Sequence, residues 1–169
     1  MNKGYCRSPT EELIFHTNPR MIYADKPYYD FLLSRKFSGK VEFPHYIKIE
    51  VLTTMLGEYD HTMNHRIAFR ITKGEWRKAL RADYIVAKDD RRIYFGVVSQ
   101  LNAYIEKNMS ASIRMRSFQP WSKKGGRTYF RRSVRNLQSR GLLCSIPISQ
   151  AHKLELLIQQ DYESRNPNT

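Results

Sequence analysis

Residues 128–143 read TYFRRSVRNLQSRGLL, and this stretch decides the predicted fold. Drawn as a helix, it gathers its apolar side chains within one third of the wheel. That third contains Phe130, Val134 and Leu137. The other side carries arginine, asparagine and hydroxyl groups, which bind phosphates and base edges. Gly141 then ends the helix as a left-handed residue. We therefore predict a helix over residues 127–140 and an apolar strand over residues 142–148.

This pattern resembles the recognition helix and first wing strand of winged-helix and helix-turn-helix DNA-binding proteins. Their motif is a helix with spaced apolar residues, followed by a glycine and two aliphatic residues that open the wing. The resemblance covers about 16 of the 169 residues. It implies that Arg131, Arg132, Arg135 and Asn136 face the DNA groove, with Gly141 at the turn from helix to wing. Bacterial, phage and plasmid regulators and replication initiators commonly use this unit.

The charge of the chain points to a polyanionic partner. The formal net charge is +13, and no Asp or Glu occurs from Lys107 through Leu154. A segment of one sign is the electrostatic footprint of a phosphate-binding surface, although a simple excess of surface lysine remains open. The predicted nucleic-acid-binding residues are Arg114, Arg116, Lys123, Lys124, Arg127, Arg131, Arg132, Arg135, Asn136 and Arg140.

Two glycines at positions 125 and 126 stand between cations, in Lys123-Lys-Gly-Gly-Arg127. Glycines let a backbone approach a phosphate closely, so we predict a loop that grips the nucleic-acid backbone, with an ordinary mobile loop as the alternative. Aromatic residues interleave with these cations, at Phe118, Trp121, Tyr129 and Phe130. Such a mixture also suits the stacking of single-stranded bases, and core packing is the other fate open to each ring.

The rest of the chain gives mostly helical patterns. Three- and four-residue apolar spacing predicts helices, and alternation predicts a strand. The predicted helices cover residues 28–36, 45–59, 89–108 and 151–162, and the predicted strand covers 67–71. Thr72 and Glu75 have the capping-box spacing, which predicts a further helix up to Ala82. Residues 110–124 are read as irregular.

These elements predict a mainly α protein with a small β-sheet, an α+β fold whose C-terminal half is winged-helix-like. Prolines and aromatic residues are frequent in residues 1–43, which we interpret as an N-terminal arm. Residues 44–169 are then a single helical domain, with the winged-helix-like unit at about residues 90–150.

Residues that could perform catalysis give only weak signals. Cys6 and Cys144 are too far apart in sequence for a zinc-ligand motif, and His61 and His65 flank no acidic residue. Helix capping explains the pair at positions 89 and 90, and no carboxylates cluster in the sequence as a two-metal nuclease requires. We expect no metal, no cofactor and no enzymatic activity, with a nuclease as the alternative.

The predicted function is sequence-specific binding of duplex DNA by a transcriptional regulator. A plasmid- or phage-type replication initiator or accessory factor is the first alternative. An RNA-binding or RNA-processing protein is the second. Such DNA-binding units often act as homodimers on two half-sites. Residues 1–10 are polar and no window is apolar enough to span a membrane, so a cytoplasmic location is expected, or a nuclear one in a eukaryote.

Overall fold

The computed structural model describes residues 7–35, 46–52, 55–59, 65–115, 121–124 and 127–167. The helices are α1 (Pro9–Thr17), α2 (Lys73–Ala79), α3 (Val98–Met115), α4 (Val134–Ser139), a 3₁₀ helix (Ile148–Lys153) and α5 (Leu154–Arg165). The strands are β1 (Met21–Lys26), β2 (Tyr29–Ser34), β3 (Tyr46–Val51), β4 (Met55–Tyr59), β5 (His65–Thr72), β6 (Tyr84–Lys88), β7 (Arg92–Val97), β8 (Trp121–Lys124), β9 (Arg127–Ser133) and β10 (Cys144–Pro147).

A six-stranded mixed sheet forms the centre of the molecule, in the order β1-β2-β3-β6-β7-β10. β3 and β6 are parallel and the other neighbours are antiparallel. Alternate residues of these strands face α1 and α5 and form one apolar core. In β3 the residues of this face are Ile47, Ile49 and Val51.

A four-stranded antiparallel sheet, in the order β4-β5-β9-β8, contributes to the second core. This core joins residues of β5, β9, α2, α3 and α4 to the opposite face of the central sheet. The rings of Phe69 and Phe130 meet edge to face at its centre, with their centroids 6.2 Å apart. The central sheet is therefore covered on both faces, which explains why its β6 strand is almost entirely buried.

The predicted fold class is wrong, because the sheets are much larger than the small sheet that the sequence indicated. Residues 127–133 are a strand rather than the start of a helix, and they pair with both β5 and β8. Only residues 134–139 are helical, and Ser133 caps them by accepting the Asn136 N–H. A recognition helix over 127–140 is therefore absent, and the winged-helix-like architecture is wrong with it.

Two predicted N-terminal helices are also wrong. Residues 28–36 contain β2, and residues 45–59 contain β3 and β4. In β3 the apolar residues alternate with polar ones, and this two-residue period overrides the three- and four-residue spacing around it. The residues described within the predicted arm form α1, β1 and β2, and the two strands complete one edge of the central sheet.

The predicted helix over residues 89–108 is half right, since β7 precedes α3 in this segment. Asp89 caps no helix. Instead its Oδ1 accepts the backbone N–H groups of Arg91 and Arg92 in the turn between β6 and β7. The Asp89 carboxylate therefore stabilises the turn between two strands and does not initiate a helix.

Three local predictions are confirmed, and a fourth is confirmed in part. The strand over 67–71 lies within β5, and Thr72 caps α2 by accepting the Glu75 N–H at 3.2 Å. Gly141 has a φ of 71°, the left-handed conformation expected after a helix end. The strand predicted at residues 142–148 is the shorter β10, which pairs with β7.

Candidate carboxylate site and cationic surface

Two carboxylates lie opposite each other on β2 and β3. The register pairs Phe31 with Ile49, which places Asp30 opposite Glu50 one residue further along. The Asp30 carboxylate is 8% exposed, and its Oδ2 accepts the Val51 N–H at 2.8 Å. Like charges directly opposite each other destabilise a sheet, so this carboxylate pair carries a cost that the fold alone does not require.

The two side chains share a hydrogen bond. Protonated Glu50 donates to the ionised carboxylate of Asp30. The second Glu50 oxygen, Oε2, is buried and has no hydrogen-bond partner among the residues that the structure describes. Within the described part of the chain, neither carboxylate forms an ion pair. A buried acceptor without a donor is rare and marks a place where a ligand or cation can add a bond.

Burial raises the pKa of both carboxyl groups. The pKa of Glu50 rises to about 8, because burial and the negative charge of Asp30 disfavour its ionised form and because protonated Glu50 donates a hydrogen bond to Asp30. Burial also raises the pKa of Asp30 to about 6, against the opposing effect of its hydrogen bond from Val51. At neutral pH the pair therefore holds one proton, as two carboxylates in close contact do.

The shared proton makes stability depend on pH. Both folded-state pKa values lie above those of the unfolded chain, so the folded protein binds more protons between about pH 4 and pH 8. Stability from this pair is therefore greatest at the acidic end of that window and is lost as the pH rises through it.

We expect the melting temperature to fall less from pH 5.5 to pH 8.5 in Glu50→Gln than in the parent chain. Thermal melts at the two pH values measure this difference. The exposed Asp90→Asn variant serves as the control, and parallel falls in all three proteins would contradict the assigned proton.

A third carboxylate lies nearby on α1. The negative charge of Glu11 contributes to the raised pKa of both Asp30 and Glu50. Glu11 is held in place by the Tyr23 hydroxyl, which donates to its Oε2 at 3.1 Å. Asp25, whose charge also acts on Asp30, has a φ of 45°, a strained backbone region for a residue other than glycine.

Four positive residues lie in α2 and directly after it. We call Lys73, Arg77, Lys78 and Arg81 the α2 cations, and all four are exposed. The charge of Lys78 lowers the pKa of Glu50, in opposition to the larger effect of burial. Lys78 therefore provides positive charge near Glu50, and positive charge at such a site attracts phosphate groups.

The predicted nucleic-acid-binding residues do not form one helix face. Lys123 and Lys124 lie in β8, while Arg127, Arg131 and Arg132 lie in β9. Arg135 and Asn136 belong to α4, and Arg140 is its C-cap. Arg114 lies near the end of α3, and Arg116 falls outside the described residues. Phe118, Gly125, Gly126, Cys6 and His61 also fall outside them.

Several of these residues have structural contacts. The Arg140 guanidinium donates to the Asn136 side chain at 2.9 Å and lies 5.2 Å from the ring centre of Tyr104. Arg132 is half-buried and lies 5.3 Å from the ring of Phe130. Arg135 remains exposed. The groove-reading roles that the resemblance implied for Arg132 and Asn136 therefore compete with packing roles.

Sequence reasoning overlooked the carboxylate pair and the α2 cations. Asp30 and Glu50 are separated by nineteen residues in sequence, and only the register of β2 against β3 brings them together. No local signal marked Glu50, because it occupies a regular polar position in the alternating pattern of β3.

No family model, curated protein or solved structure matches the chain. Among the described residues, no three His, Cys, Asp or Glu side chains are grouped to hold a metal ion. In the same part of the chain, no helix has the length and apolar character needed to cross a bilayer. The carboxylate pair and its charged neighbours are therefore the observations on which a functional assignment can rest.

Proposed function

We propose that the chain hydrolyses phosphodiester bonds of nucleic acid with the help of a divalent cation held by Asp30 and Glu50. The observation that carries this proposal is the pair of buried Asp30 and half-buried Glu50, whose Oε2 lacks a hydrogen-bond donor among the described residues. The net charge of +13 supports a polyanionic substrate. The earlier expectation of a protein without enzymatic activity gives way to the nuclease alternative on these grounds.

The donor set fits a hard cation. Magnesium is commonly bound through one or two carboxylates, with water and substrate phosphate oxygens completing its coordination. Asp30 and Glu50 supply two carboxylates for such a cation, and the Oε2 of Glu50 has no hydrogen-bond partner among the described residues. A cation bound there would supply a Lewis acid for the phosphoryl oxygen and activate the attacking water.

The side chains of this chain then have distinct tasks. Asp30 and Glu50 must both be ionised to hold a cation, so the proton that they share leaves before the cation binds. Lys78 offsets negative charge beside Glu50, where a phosphate would enter. In the reaction one water adds to phosphorus and one ester P–O bond breaks, which yields a phosphate monoester and an alcohol.

A cleavage assay tests the proposal directly. End-labelled single-stranded and duplex DNA and RNA of one sequence are incubated with the chain and Mg²⁺ or Mn²⁺, or with EDTA. We expect products with a divalent cation and none with EDTA. The rate should increase from pH 6 to pH 9, because Glu50 has a pKa raised to about 8 and must lose its proton. Intact substrates under all these conditions would contradict the proposal.

A second candidate is nucleic-acid binding without cleavage, as a sequence-specific duplex DNA-binding regulator. The observation that favours it is the segment from Lys107 through Leu154, which contains no Asp or Glu. The exposed Arg135 and Arg140 would then contribute to a surface that binds phosphates. Binding that weakens steeply with salt, together with intact substrates in the cleavage assay, would favour this candidate.

A further inference from the structure

Tyr28 and Arg81 form an exposed aromatic–cation pair. The Arg81 Cζ lies 3.9 Å from the centre of the Tyr28 ring, and 38% of Tyr28 is exposed. In the part of the chain that the structure describes, Arg81 makes no ion pair with a carboxylate. We call these two side chains the Tyr28–Arg81 platform. Its positive charge is therefore available to a ligand.

Each residue of the platform is close in sequence to a residue of the candidate carboxylate site. Tyr28 precedes Asp30 by two residues, in the turn between β1 and β2. Arg81 follows Lys78 by three residues, just after the end of α2. The contact between Tyr28 and Arg81 thus joins the segment that carries Asp30 to the segment that carries Lys78. A strand bound at the carboxylate pair would therefore lie next to segments that also carry the platform.

Arg81 also borders a cleft of about 780 Å³. The cleft lies between the residues after α2, the first turn of α3 and the end of α5. Polar side chains line its α3 wall, at Ser99, Gln100 and Asn102. Space and hydrogen-bonding groups for the next nucleotide therefore continue beyond the platform.

The chemistry of the platform selects an unpaired base. An aromatic ring and a guanidinium both stack on nucleobases, and the guanidinium also binds phosphate. In a duplex the faces of the bases are covered by their neighbours, whereas a single strand leaves them accessible. We infer that the site takes single-stranded nucleic acid, with one base stacked on the Tyr28–Arg81 platform. The position of this platform beside a reaction centre rests on the proposed function, but its binding does not.

A binding experiment without divalent cations tests the inference. Fluorescence anisotropy in EDTA measures the affinity for a short single-stranded DNA and for a hairpin duplex of the same sequence. We expect Tyr28→Ala to lower the single-strand affinity about tenfold and to leave the duplex affinity unchanged, since one base–aromatic stack is lost. Tyr28→Phe keeps the ring and should retain the affinity of the parent chain.

Tyr46→Ala is the matched control, because Tyr46 is also a tyrosine at the surface and is 37% exposed. It should bind both substrates as the parent chain does. Equal losses for single strand and duplex, no loss at all, or failure of the parent chain to bind single strands would each overturn the inference. Thermal melts confirm that every variant folds. If Tyr28→Ala loses only single-strand affinity and the parent chain shows no cation-dependent cleavage, the proposed nuclease is refuted and the platform is supported. If the parent chain cleaves but Tyr28→Ala shows no selective loss of single-strand affinity, the platform is refuted and the nuclease is supported.

Discussion

Asp30→Asn will lower the cation-dependent cleavage of nucleic acid at least about a hundredfold, because a neutral amide cannot replace an ionised cation ligand. The substitution preserves the shape of the side chain, and its amide oxygen can still accept the Val51 N–H. The fold is therefore retained, which a melting curve verifies. Glu50→Gln should have a similar effect on cleavage, since it removes the second ligand of the pair.

Asp90→Asn provides the control for this prediction, since Asp90 is exposed in the turn between β6 and β7. Its cleavage rate should match that of the parent chain. Initial rates with Mn²⁺ and Mg²⁺ at pH 8.5 compare the variants while Glu50 is largely ionised. If Asp30→Asn and Asp90→Asn cleave at the same rate, the carboxylate pair holds no catalytic cation. Binding in EDTA separates a loss of chemistry from a loss of substrate affinity.

Phe130→Ala will lower the free energy of unfolding by about 3–5 kcal/mol. Phe130 is completely buried, and its ring meets Phe69 and Tyr104 edge to face, with centroids 6.2 and 6.5 Å away. Removal of the ring leaves a cavity between the second sheet and α3. Leu137→Ala, also completely buried, should cost about 2–5 kcal/mol by the same mechanism.

The control for these truncations is Leu156→Ala, because Leu156 is 41% exposed on α5. Its effect should stay within about 0.5 kcal/mol. Urea denaturation followed by circular dichroism gives the three free energies under one set of conditions. Comparable values for Phe130→Ala and Leu156→Ala would place residue 130 outside the core. The predicted burial of Phe130, Val134 and Leu137 would then lose its support.

Sequence periodicity identified buried residues more reliably than it identified the backbone that carries them. Phe130, Val134 and Leu137 were expected on one apolar face, and all three are buried. Phe130 reaches the core from β9, however, and the other two reach it from α4. The run from Thr128 to Phe130 favours a strand by composition, and Ser133 was available as a helix cap. A single helical wheel drawn through both segments hid that boundary.

The sequence by itself determined the features that depend on neighbouring residues. The capping box at Thr72 and Glu75, the strand at residues 67–71 and the left-handed Gly141 are all local, because each depends on a few adjacent φ and ψ angles. The net charge of +13 also follows directly from composition, and it supports a polyanionic partner whatever the fold.

Only the tertiary structure decided which segments pair and which side chains meet. Residues 29–34 and 46–51 are strands because they join the central sheet, whose hydrogen bonds come from distant parts of the chain. The same pairing brings Asp30 opposite Glu50 and turns two ordinary acids into one proton-sharing site. Register is non-local, and a shift of one residue in β3 would send Glu50 to the opposite face of the sheet. No local pattern in the sequence contains that information.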